Sequence, residues 1–531
     1  MKRMCFLLLT ASFVTLFAAS PGMVEGAEKD TLVYSWSSNV GLLNPHMYSP
    51  NQMFAQAMSY EPLVSYGDDG TIAPCLAERW EVSDGGKVYT FFLRKGIVFS
   101  DGEPWNAEAA KMNFDAIMAN APRHAWIGLT NQLEAAEVVD EYTLKLVLKN
   151  AYYPTLHDLA TIRPFRFLSP AAFPENGKTS ESIKKAVGTG PWVLIETRKG
   201  EFDLFTRNEK YWGKKPVFAK VLVKVITDSE ARMLALETGE IDLVYGAAGS
   251  TVAQVGIESF KRLEATGRFE SAISGPISSY TLALNSGRGP TADRSVRKAI
   301  QHLVDKDLLI RAVFLDMEKK ADFLFEPRIP YCNVGLEAYA YNPAKAEALL
   351  EEAGWKKSDG AVFRSRDGVE LSIDICFVGI DSVQKTVAEA LQGELRKAGI
   401  RLVLIGEEND SFYKRQKDGD FGMIYNDTWG APYEPHAMVS SMLVPSHADF
   451  QAQSGLPMKN ELDDKIRSVL VSTEEEKRKT LYREILTTLH NEAVYLPLTY
   501  KTLVKMHSKN LRGAEFTPIR QFVPFDRMSW K

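Results

Sequence analysis

The side chains that could do chemistry in this chain are few and scattered. Eight histidines and four cysteines are spread over 531 residues, and none stands at the spacing of a known catalytic or metal-binding motif. The sequence contains no HExxH, no CxxC and no GxSxG, and His490-Asn-Glu492 does not form a zinc motif. A catalytic zinc site typically needs several protein ligands. The pattern therefore disfavours an enzyme such as a secreted metallohydrolase.

Isolated arginines and histidines have an ordinary interpretation when they are taken one at a time. Arg163 precedes a proline, and such an arginine usually lies at the surface or in a salt bridge. Most histidines, His447 among them, are structural or face the solvent when nothing else marks them. Trp126 and Trp429 are equally suited to a core. A shared role for these residues must come from the elements that position them and from the wider pattern of the chain.

Length and charge limit the classes of protein to which the chain can belong. A chain of 531 residues is too long for one ordinary core, so two or three packed subdomains are expected. Hydrophobic residues make up 45% and charged residues 25%, as in a globular protein. The net charge is only −5 and no long Lys/Arg run is present, which argues against a nucleic-acid partner.

The N-terminus has the order of a secretory signal peptide. Lys2 and Arg3 precede the uncharged apolar run Cys5–Phe17, and small residues follow, with cleavage expected before Ala27. The run is shorter than the roughly 20 residues that span a bilayer. Cys5 stands at the start of the run, whereas a lipobox cysteine follows it, so Cys5 cannot serve as one. Residues 1–26 are therefore interpreted as a signal peptide, and the mature protein is expected to be freely soluble in the periplasm.

Cleavage leaves three cysteines, Cys75, Cys332 and Cys376. An odd number in an oxidising compartment leaves at least one of them unpaired. One disulfide and three buried, inert thiols are both compatible with the sequence, which does not choose between them.

The first half of the mature chain reads as a mixture of hairpins and helices. Thr31–Trp36 is strand-like, and two β-rich runs flank the Asp84–Lys87 turn, which predicts a hairpin. Apolar residues at helical spacing predict a helix over Ala107–Met118, and Tyr142–Leu148 alternates like a strand. This half is expected to form an α+β lobe.

The second half alternates helices with strands and is expected to form an α/β lobe. Two lobes of different texture with a cleft between them suit a protein that closes on a ligand. The predicted helices are Ser229–Gly239, Arg294–Val304, Ala344–Ala353 and Val383–Ala398, and the predicted strands are Ile241–Val244, Leu371–Phe377 and Arg401–Ile405.

Several blocks resemble the peptide/nickel family of extracellular solute-binding proteins. They are Leu76–Pro104, Gly188-Thr-Gly-Pro-Trp192, Asn208-Glu-Lys-Tyr-Trp212 and Tyr341-Asn-Pro-Ala-Lys-Ala346. These blocks occur in the same order as in the family and are spread over nearly the whole mature chain. Finer blocks are similar to the nickel-binding branch of that family: Leu43–Met53, Arg123-His-Ala-Trp126, Arg163-Pro-Phe-Arg-Phe167, Gly422-Met-Ile424, Thr428-Trp-Gly-Ala-Pro-Tyr433 and Val444–Phe450.

The resemblance implies an α/β, two-lobed periplasmic binding protein of type II, similar to cluster C, with an extra subdomain on the first lobe. The implied division is 27–275 for lobe I, with an inserted subdomain around 70–185, then 276–495 for lobe II and 496–531 as the return to lobe I. The implied function is capture of chelated nickel by a monomer that delivers it to an ABC permease. No transport ATPase motif is present, so the permease and the ATPase are expected to be other chains.

The resemblance also implies the site residues. Arg123 and Arg163 match the two arginines that anchor the carboxylates of the chelate, and His447 matches the loop histidine that reaches the metal. Positions that line the pocket are matched by Tyr48, Met53, Trp126, Tyr413, Trp429 and Tyr433.

These residue types suit an anionic cargo. Two guanidinium groups would repel bare Ni²⁺, whereas they bind carboxylates through paired hydrogen bonds. Nickel accepts imidazole readily, so His447 would occupy a position that the chelator leaves open. The chelator itself stays open: two free histidines, a citrate-like acid or a dedicated metallophore would each present carboxylates, and cobalt has similar ligand preferences.

Other branches of the family bind dipeptides, oligopeptides or haem, which are the alternative ligands. A peptide binder needs an acidic residue for the amino terminus of its ligand. No clear acidic partner stands near the proposed arginines, although Asp427 and Glu434 lie close in sequence to the Trp429 block.

Overall fold

A computed structural model of the protein describes residues 30–47, 52–67, 69–247 and 255–531. The predicted signal peptide at 1–26 lies outside these ranges. Within them, no helix combines the length and the apolar character that crossing a membrane requires.

Strands of very different length occur throughout the chain. In order they are β1 Thr31–Trp36, β2 Val64–Tyr66, β3 Ile72–Pro74, β4 Ala77–Ser83, β5 Val88–Leu93, β6 Leu133–Asp140, β7 Thr143–Leu148, β8 Trp192–Arg198, β9 Phe202–Arg207, β10 Lys220–Val225, β11 Leu243–Ala247, β12 Phe269–Leu284, β13 Lys319–Lys320, β14 Ser365–Arg366, β15 Val369–Glu370, β16 Ser372–Val378, β17 Arg401–Glu407, β18 Met423–Tyr425, β19 Tyr495–Ser508, β20 Leu511–Arg512 and β21 Ser529–Trp530.

The α-helices are most frequent in the second half of the chain. In order they are α1 Met53–Ser59, α2 Ala107–Ala119, α3 Gly128–Gln132, α4 Thr155–Leu159, α5 Ser229–Thr238, α6 Ile257–Ala265, α7 Arg294–Leu303, α8 Lys306–Val313, α9 Pro343–Glu352, α10 Ser382–Lys397, α11 Asn409–Asp418, α12 His436–Ser441, α13 Ala448–Gln453, α14 Lys459–Val471 and α15 Glu475–Asn491.

Local signals in the sequence explain where several elements begin and end. Asn106 accepts a hydrogen bond from the Ala109 amide and begins α2. Gly354 has a φ of 83° directly after α9, as the C-terminal glycine of the predicted helix requires. The predicted hairpin is confirmed, because β4 pairs antiparallel with β5.

Two four-stranded sheets occupy the first half of the chain. One has the order β1-β10-β9-β8, with β1 parallel to β10. The other has the order β4-β5-β7-β6 and is antiparallel throughout. This second sheet spans Ala77–Leu148 and falls inside the range predicted for an inserted subdomain. The antiparallel pairings agree with the α+β architecture expected for this half of the chain.

A larger sheet carries the second half and has the order β11-β19-β12-β18-β16-β17, with β13 on β19. Strand β16 pairs parallel with both β17 and β18, and α10 and α11 make the connections. This is the predicted helix–strand alternation. The apolar face of the sheet packs against α7, α9 and α10 through residues such as Ile300, Leu350, Leu391 and Ile375, which are fully buried or nearly so.

Two strands of the large sheet run across the predicted lobe boundaries. Strands β12 and β19 are the longest in the described chain, with 16 and 14 residues, and they pair antiparallel over most of their length. Their register shifts on both sides of Pro276, at the predicted boundary of 275/276. We therefore retain the lobe division as a proposal, with β12 and β19 as the strands that join the lobes.

The three cysteines after the predicted signal peptide do not form disulfides. Cys332 and Cys376 are buried, Cys75 is half-buried, and all three are free thiols. Burial raises the pKa of each thiol above its ordinary value. The interpretation as inert thiols therefore describes all three.

Candidate functional site

Residues of the first half form one wall of the candidate site. Trp126 follows a 3-10 turn at Ala121–His124 and precedes α3. Arg163 lies in the loop after α4, with its Cζ atom 4.7 Å from the centroid of the Trp126 ring. A guanidinium over an indole face is a favourable cation–π arrangement. It places the positive charge of Arg163 against the aromatic surface of Trp126.

A buried arginine holds the loop that carries Arg163. The Arg166 guanidinium donates hydrogen bonds to the carbonyl oxygens of Thr161, Ile162 and Tyr60 at 3.1–3.2 Å. The Thr161 hydroxyl donates to the Arg163 carbonyl at 2.7 Å. Only 5% of Arg166 is exposed, so its role is to shape the loop. Burial lowers the pKa of Arg166 to about 10, and it stays charged at neutral pH.

The opposite wall is the loop between β18 and α12. The Thr428 hydroxyl accepts a hydrogen bond from the Ser279 amide at 2.7 Å, and the Thr428 amide donates to the Ser279 carbonyl at 3.0 Å. These bonds tie the loop to β12. Gly430 has a φ of 77°, and a Cβ there would lie 2.4 Å from the Ile277 carbonyl oxygen. Glycine is required at this position because both its φ and its close approach to β12 exclude a side chain.

The two walls meet through three aromatic rings. Trp126 packs edge-to-face against Trp429 with centroids 5.7 Å apart, and it contacts Tyr433 at 6.0 Å. Trp429 and Tyr433 are also edge-to-face, at 6.3 Å. Tyr433 is buried, whereas both tryptophans are half-buried and keep part of their surface accessible. The rings therefore form an apolar lining between segments that lie far apart in the chain.

His447 joins this lining from α13, for which it is the N-cap residue. Its ring centroid lies 5.8 Å from that of Trp429. His447 Nδ1 lies 2.9 Å from Asp449 Oδ2 and donates to this carboxylate, so Nε2 is the ring nitrogen left for another partner. Metal-binding histidines typically use such a carboxylate to orient the ring. About 21% of the His447 side chain is exposed.

Asp449 is itself fixed by the protein. It is fully buried and accepts hydrogen bonds from Asn426 Nδ2, the Tyr495 hydroxyl and the Ser441 hydroxyl at 2.6–2.8 Å. Four donors therefore converge on one carboxylate, His447 included. This network fixes the orientation of the imidazole through residues of β19, α12 and the β18 loop.

The second predicted anchor, Arg123, lies in the same 3-10 turn that precedes Trp126. Its side chain is exposed. Both Arg123 and Arg163 act electrostatically on His124, whose pKa falls to about 4 because of burial and then because of these two charges. The two guanidinium groups therefore contribute to the same local field, and His124 stays neutral between them.

The other predicted pocket residues have different positions. Met53 is buried on α1 in a small apolar cluster with Ala57, Ile162 and Ile519, beneath the Arg163 loop. Tyr413 lies on α11 with 58% of its surface exposed, and its ring contacts Phe412. The described contacts do not bring Tyr413 to the aromatic lining, although α11 packs against α13. Tyr48 lies outside the described residues.

The two acidic residues near the lining are already engaged. Asp427 forms an ion pair with Lys501. Glu434 accepts a hydrogen bond from the Gly430 amide at 2.6 Å, and burial raises the pKa of Glu434 to about 7. Within the described residues, Asp427 Oδ1 and Glu434 Oε2 are buried without a hydrogen-bond partner, so each carboxylate is engaged through one oxygen only.

A further arginine, which the sequence did not single out, also lies at this site. Arg520 is half-buried, and its Nη1 atom lies 3.4 Å from the Ser278 hydroxyl. Asp427, Glu434, Tyr433 and Arg163 all act on it electrostatically. No motif marks Arg520, because it follows Pro518-Ile519 in a segment without secondary structure near the C-terminus.

The remaining described histidines have ordinary structural partners where a partner is resolved. His436, the second metal candidate by its position in the sequence, is buried, with its Nε2 atom 2.9 Å from Asp158 Oδ1. The others with a resolved partner bond to a hydroxyl or to backbone carbonyls: His46, His302, His490 and His507. Within the described ranges, no group of three or more His, Cys, Asp or Glu residues could hold a metal ion.

Comparisons with known proteins agree with this architecture. The family model described as bacterial extracellular solute-binding proteins, family 5 Middle, matches residues 71–450. The chain is 45% identical over 520 residues to the nickel-binding periplasmic protein of Escherichia coli strain K12, with 98% of both chains covered.

Solved structures of similar proteins have the same fold as this chain. NikA from Brucella suis, in complex with Fe(III)-EDTA, matches with a TM-score of 0.92 and 50% identity, over 94% of this chain and 100% of that one. NikZ from Campylobacter jejuni, in complex with Ni(L-His), shares the fold at a TM-score of 0.80 and 22% identity, over 95% and 100% of the chains. The chain belongs to the bacterial extracellular solute-binding proteins of family 5, and is a binding protein and not an enzyme.

Proposed function

We propose that this protein captures nickel as a carboxylate-rich chelate and delivers it to the permease of an ABC importer. The relatives support this proposal, because one is a nickel-binding periplasmic protein and another holds a metal chelate. The proposal assigns the metal to His447 and the chelator to Arg123, Arg163 and the aromatic lining, with Met53, Tyr48 and Tyr413 as further lining residues.

The observation that carries the proposal is a continuous series of contacts from one imidazole to one guanidinium. His447 contacts Trp429, Trp429 contacts Trp126, and Arg163 lies over Trp126. A site with a single metal-binding side chain and cationic anchors suits a metal whose other ligands belong to an anionic small molecule. The charge of that molecule matches the guanidinium groups, and its carbon skeleton matches the indole surfaces.

The two acidic residues near the lining favour a chelate over a peptide. A peptide carries a positive amino terminus that needs a negative partner. Asp427 is already paired with Lys501, and Glu434 is partly protonated at neutral pH because burial raises its pKa to about 7. Dipeptides, oligopeptides and haem are therefore the weaker alternative.

The location and partners of the protein follow from the same proposal. We propose export to the periplasm through the signal peptide at 1–26, and a monomeric protein that docks on a permease served by a separate ATPase. The cargo is nickel, which passes through the protein as a chelated solute and does not act as a resident cofactor.

Purification from nickel-supplemented medium tests the proposed function. Elemental analysis should find nickel at about one ion per chain, and mass spectrometry of the released small molecules should find a polycarboxylate. A peptide in the purified protein, without metal, would contradict the proposal and support the alternative.

Substitution of Arg163 tests the proposed anchor. Arg163→Ala should weaken binding of the nickel chelate by about ten- to a hundred-fold, because it removes a charge-assisted contact worth roughly 1.5–3 kcal/mol. Titration calorimetry measures the affinity, and Arg79→Ala, which removes an exposed arginine paired with Glu81, is the control. Equal affinities for Arg163→Ala and the parent would show that Arg163 is not an anchor.

A further inference from the structure

Arg520 lies where the C-terminal segment meets the strands that join the lobes. Its guanidinium is 3.4 Å from the hydroxyl of Ser278, although the two residues are 242 positions apart. The Ser278 Cβ atom would be 3.7 Å from a Cβ at Gly430. Arg520 therefore stands beside the loop that carries Trp429 and Tyr433, on the side of β12.

No acidic side chain within the described residues lies within salt-bridge distance of Arg520. Asp427 and Glu434 act on it only at longer range, and Asp427 is paired with Lys501. Burial lowers the pKa of Arg520, Asp427, Glu434 and Tyr433 act in the opposite direction, and Arg163 adds a smaller lowering effect. Arginine remains charged in proteins. Arg520 as a whole residue is half-buried, so part of its surface stays accessible.

The two acidic residues near Arg520 have other partners. Asp427 forms an ion pair with Lys501, and Glu434 accepts a hydrogen bond from the Gly430 amide. Glu434 contributes only part of a charge, because burial raises its pKa to about 7. Like charges that approach one another in a partly desolvated cleft cost free energy. An anion between the guanidinium groups of Arg163 and Arg520 would remove this cost.

We infer that Arg520 is a third cationic anchor of the cargo site, and that it selects metal chelates with more than two carboxylates. The inference rests on the proposed function and goes beyond it, because two anchors suffice for a chelate with two carboxylates. The third anchor gives a reason for the protein to prefer a cargo with a net negative charge over a neutral complex such as nickel with two histidines.

Two nickel chelates that differ in carboxylate number test this inference. Nickel–EDTA has four carboxylates, and nickel–ethylenediamine-N,N′-diacetate has the same diamine with two. Titration calorimetry at fixed ionic strength measures the affinity of the purified protein for each. The parent should bind the four-carboxylate chelate more tightly, and Arg520→Gln should reduce its affinity by about ten- to a hundred-fold. The affinity for the two-carboxylate chelate should change by less than about threefold.

Two further variants separate the role of Arg520 from general effects. Arg512→Gln removes one exposed positive charge from the same C-terminal segment, and it should leave both affinities unchanged. Arg520→Lys keeps the positive charge but lacks the planar guanidinium. It should therefore recover part of the preference for the four-carboxylate chelate that Arg520→Gln loses.

The outcomes distinguish the inference from the proposed function. Equal losses for both chelates, or no loss for either, in a folded Arg520→Gln would overturn the inference while the proposed function stands. If Arg520→Gln does not fold, the parent protein alone provides the test. Equal affinities of the parent for the two chelates would then overturn the inference. Failure of the parent to bind any nickel chelate would overturn the proposed function and the inference with it.

Discussion

At the scale of single residues, His447 combines a carboxylate partner with a half-buried ring. Its Nδ1 atom is bonded to a buried carboxylate, and the rest of the ring reaches the aromatic lining. His436 also bonds to a carboxylate, but it is only 2% exposed. A carboxylate orients either ring, whereas only an accessible ring can reach a cargo.

Replacement of His447 should separate metal binding from chelator binding. His447→Ala should lower the affinity for the nickel chelate by at least about tenfold, because oriented imidazole contacts strengthen metal binding on this scale. Binding of the metal-free chelator should not change, since the arginines and the aromatic rings remain. Titration calorimetry with the loaded and the metal-free chelator measures both.

His490→Ala serves as the control for loss of an imidazole. His490 bonds to the Glu337 carbonyl, and none of its described contacts reaches the lining. An equal loss of affinity for loaded and metal-free chelator in His447→Ala would mean that the ring only shapes the cleft.

At the scale of elements, α2 and the Arg163 loop are joined by one buried side chain. Asn113 on α2 donates to the Ala109 and Leu168 carbonyls at 2.8 and 2.9 Å, and it accepts from the Leu168 amide at 2.7 Å. Asn113 and Leu168 are both fully buried. The segment that follows Arg163 is therefore attached to the helix that precedes the turn carrying Arg123.

Loss of this connection should destabilise the protein. Asn113→Ala leaves the Leu168 amide and carbonyl without partners in the core, so the free energy of unfolding should fall by about 3 kcal/mol. Urea denaturation followed by circular dichroism measures the change. Asn150→Ala, at an exposed asparagine with one long hydrogen bond to Gln132, should change it by less than about 0.5 kcal/mol. Equal stabilities for the two variants would show that the connection contributes nothing.

At the scale of the whole molecule, β12 and β19 are the continuous connection across the proposed lobe boundaries. The register of their pairing shifts beside Pro276, where the ladder is least regular. The contacts of Trp126 with Trp429 and Tyr433 join the two proposed lobes on the side of the site. A ligand that contacts both walls should therefore favour the arrangement in which these rings meet.

Binding of the cargo should both stabilise the protein and make it more compact. At a free concentration of about one hundred times its Kd, the nickel chelate should raise the free energy of unfolding by about 2.7 kcal/mol. Small-angle X-ray scattering should show a smaller radius of gyration in the loaded protein. Stabilisation without any compaction would mean that binding does not depend on closure of the lobes.

The amino-acid sequence by itself determined the local elements and the family. The hairpin at β4 and β5, the helix α2 with its Asn106 cap, and the alternation of β16, α10 and β17 all follow from patterns within a few residues. Short-range signals are sufficient there, because caps, turns and apolar periodicity act between near neighbours. The resemblance also named Arg163, Trp126 and His447 as one group.

Only the tertiary structure decided how those residues meet and which others join them. The contact between Trp126 and Trp429, the hydrogen bond from Tyr495 to the Asp449 carboxylate behind His447, and the position of Arg520 each depend on pairings between distant segments. No local pattern encodes them, because a lone arginine in an irregular segment has the same signature whether it faces solvent or a cargo. The fold gives such a residue its role by placing it against Ser278 on a strand from the middle of the chain.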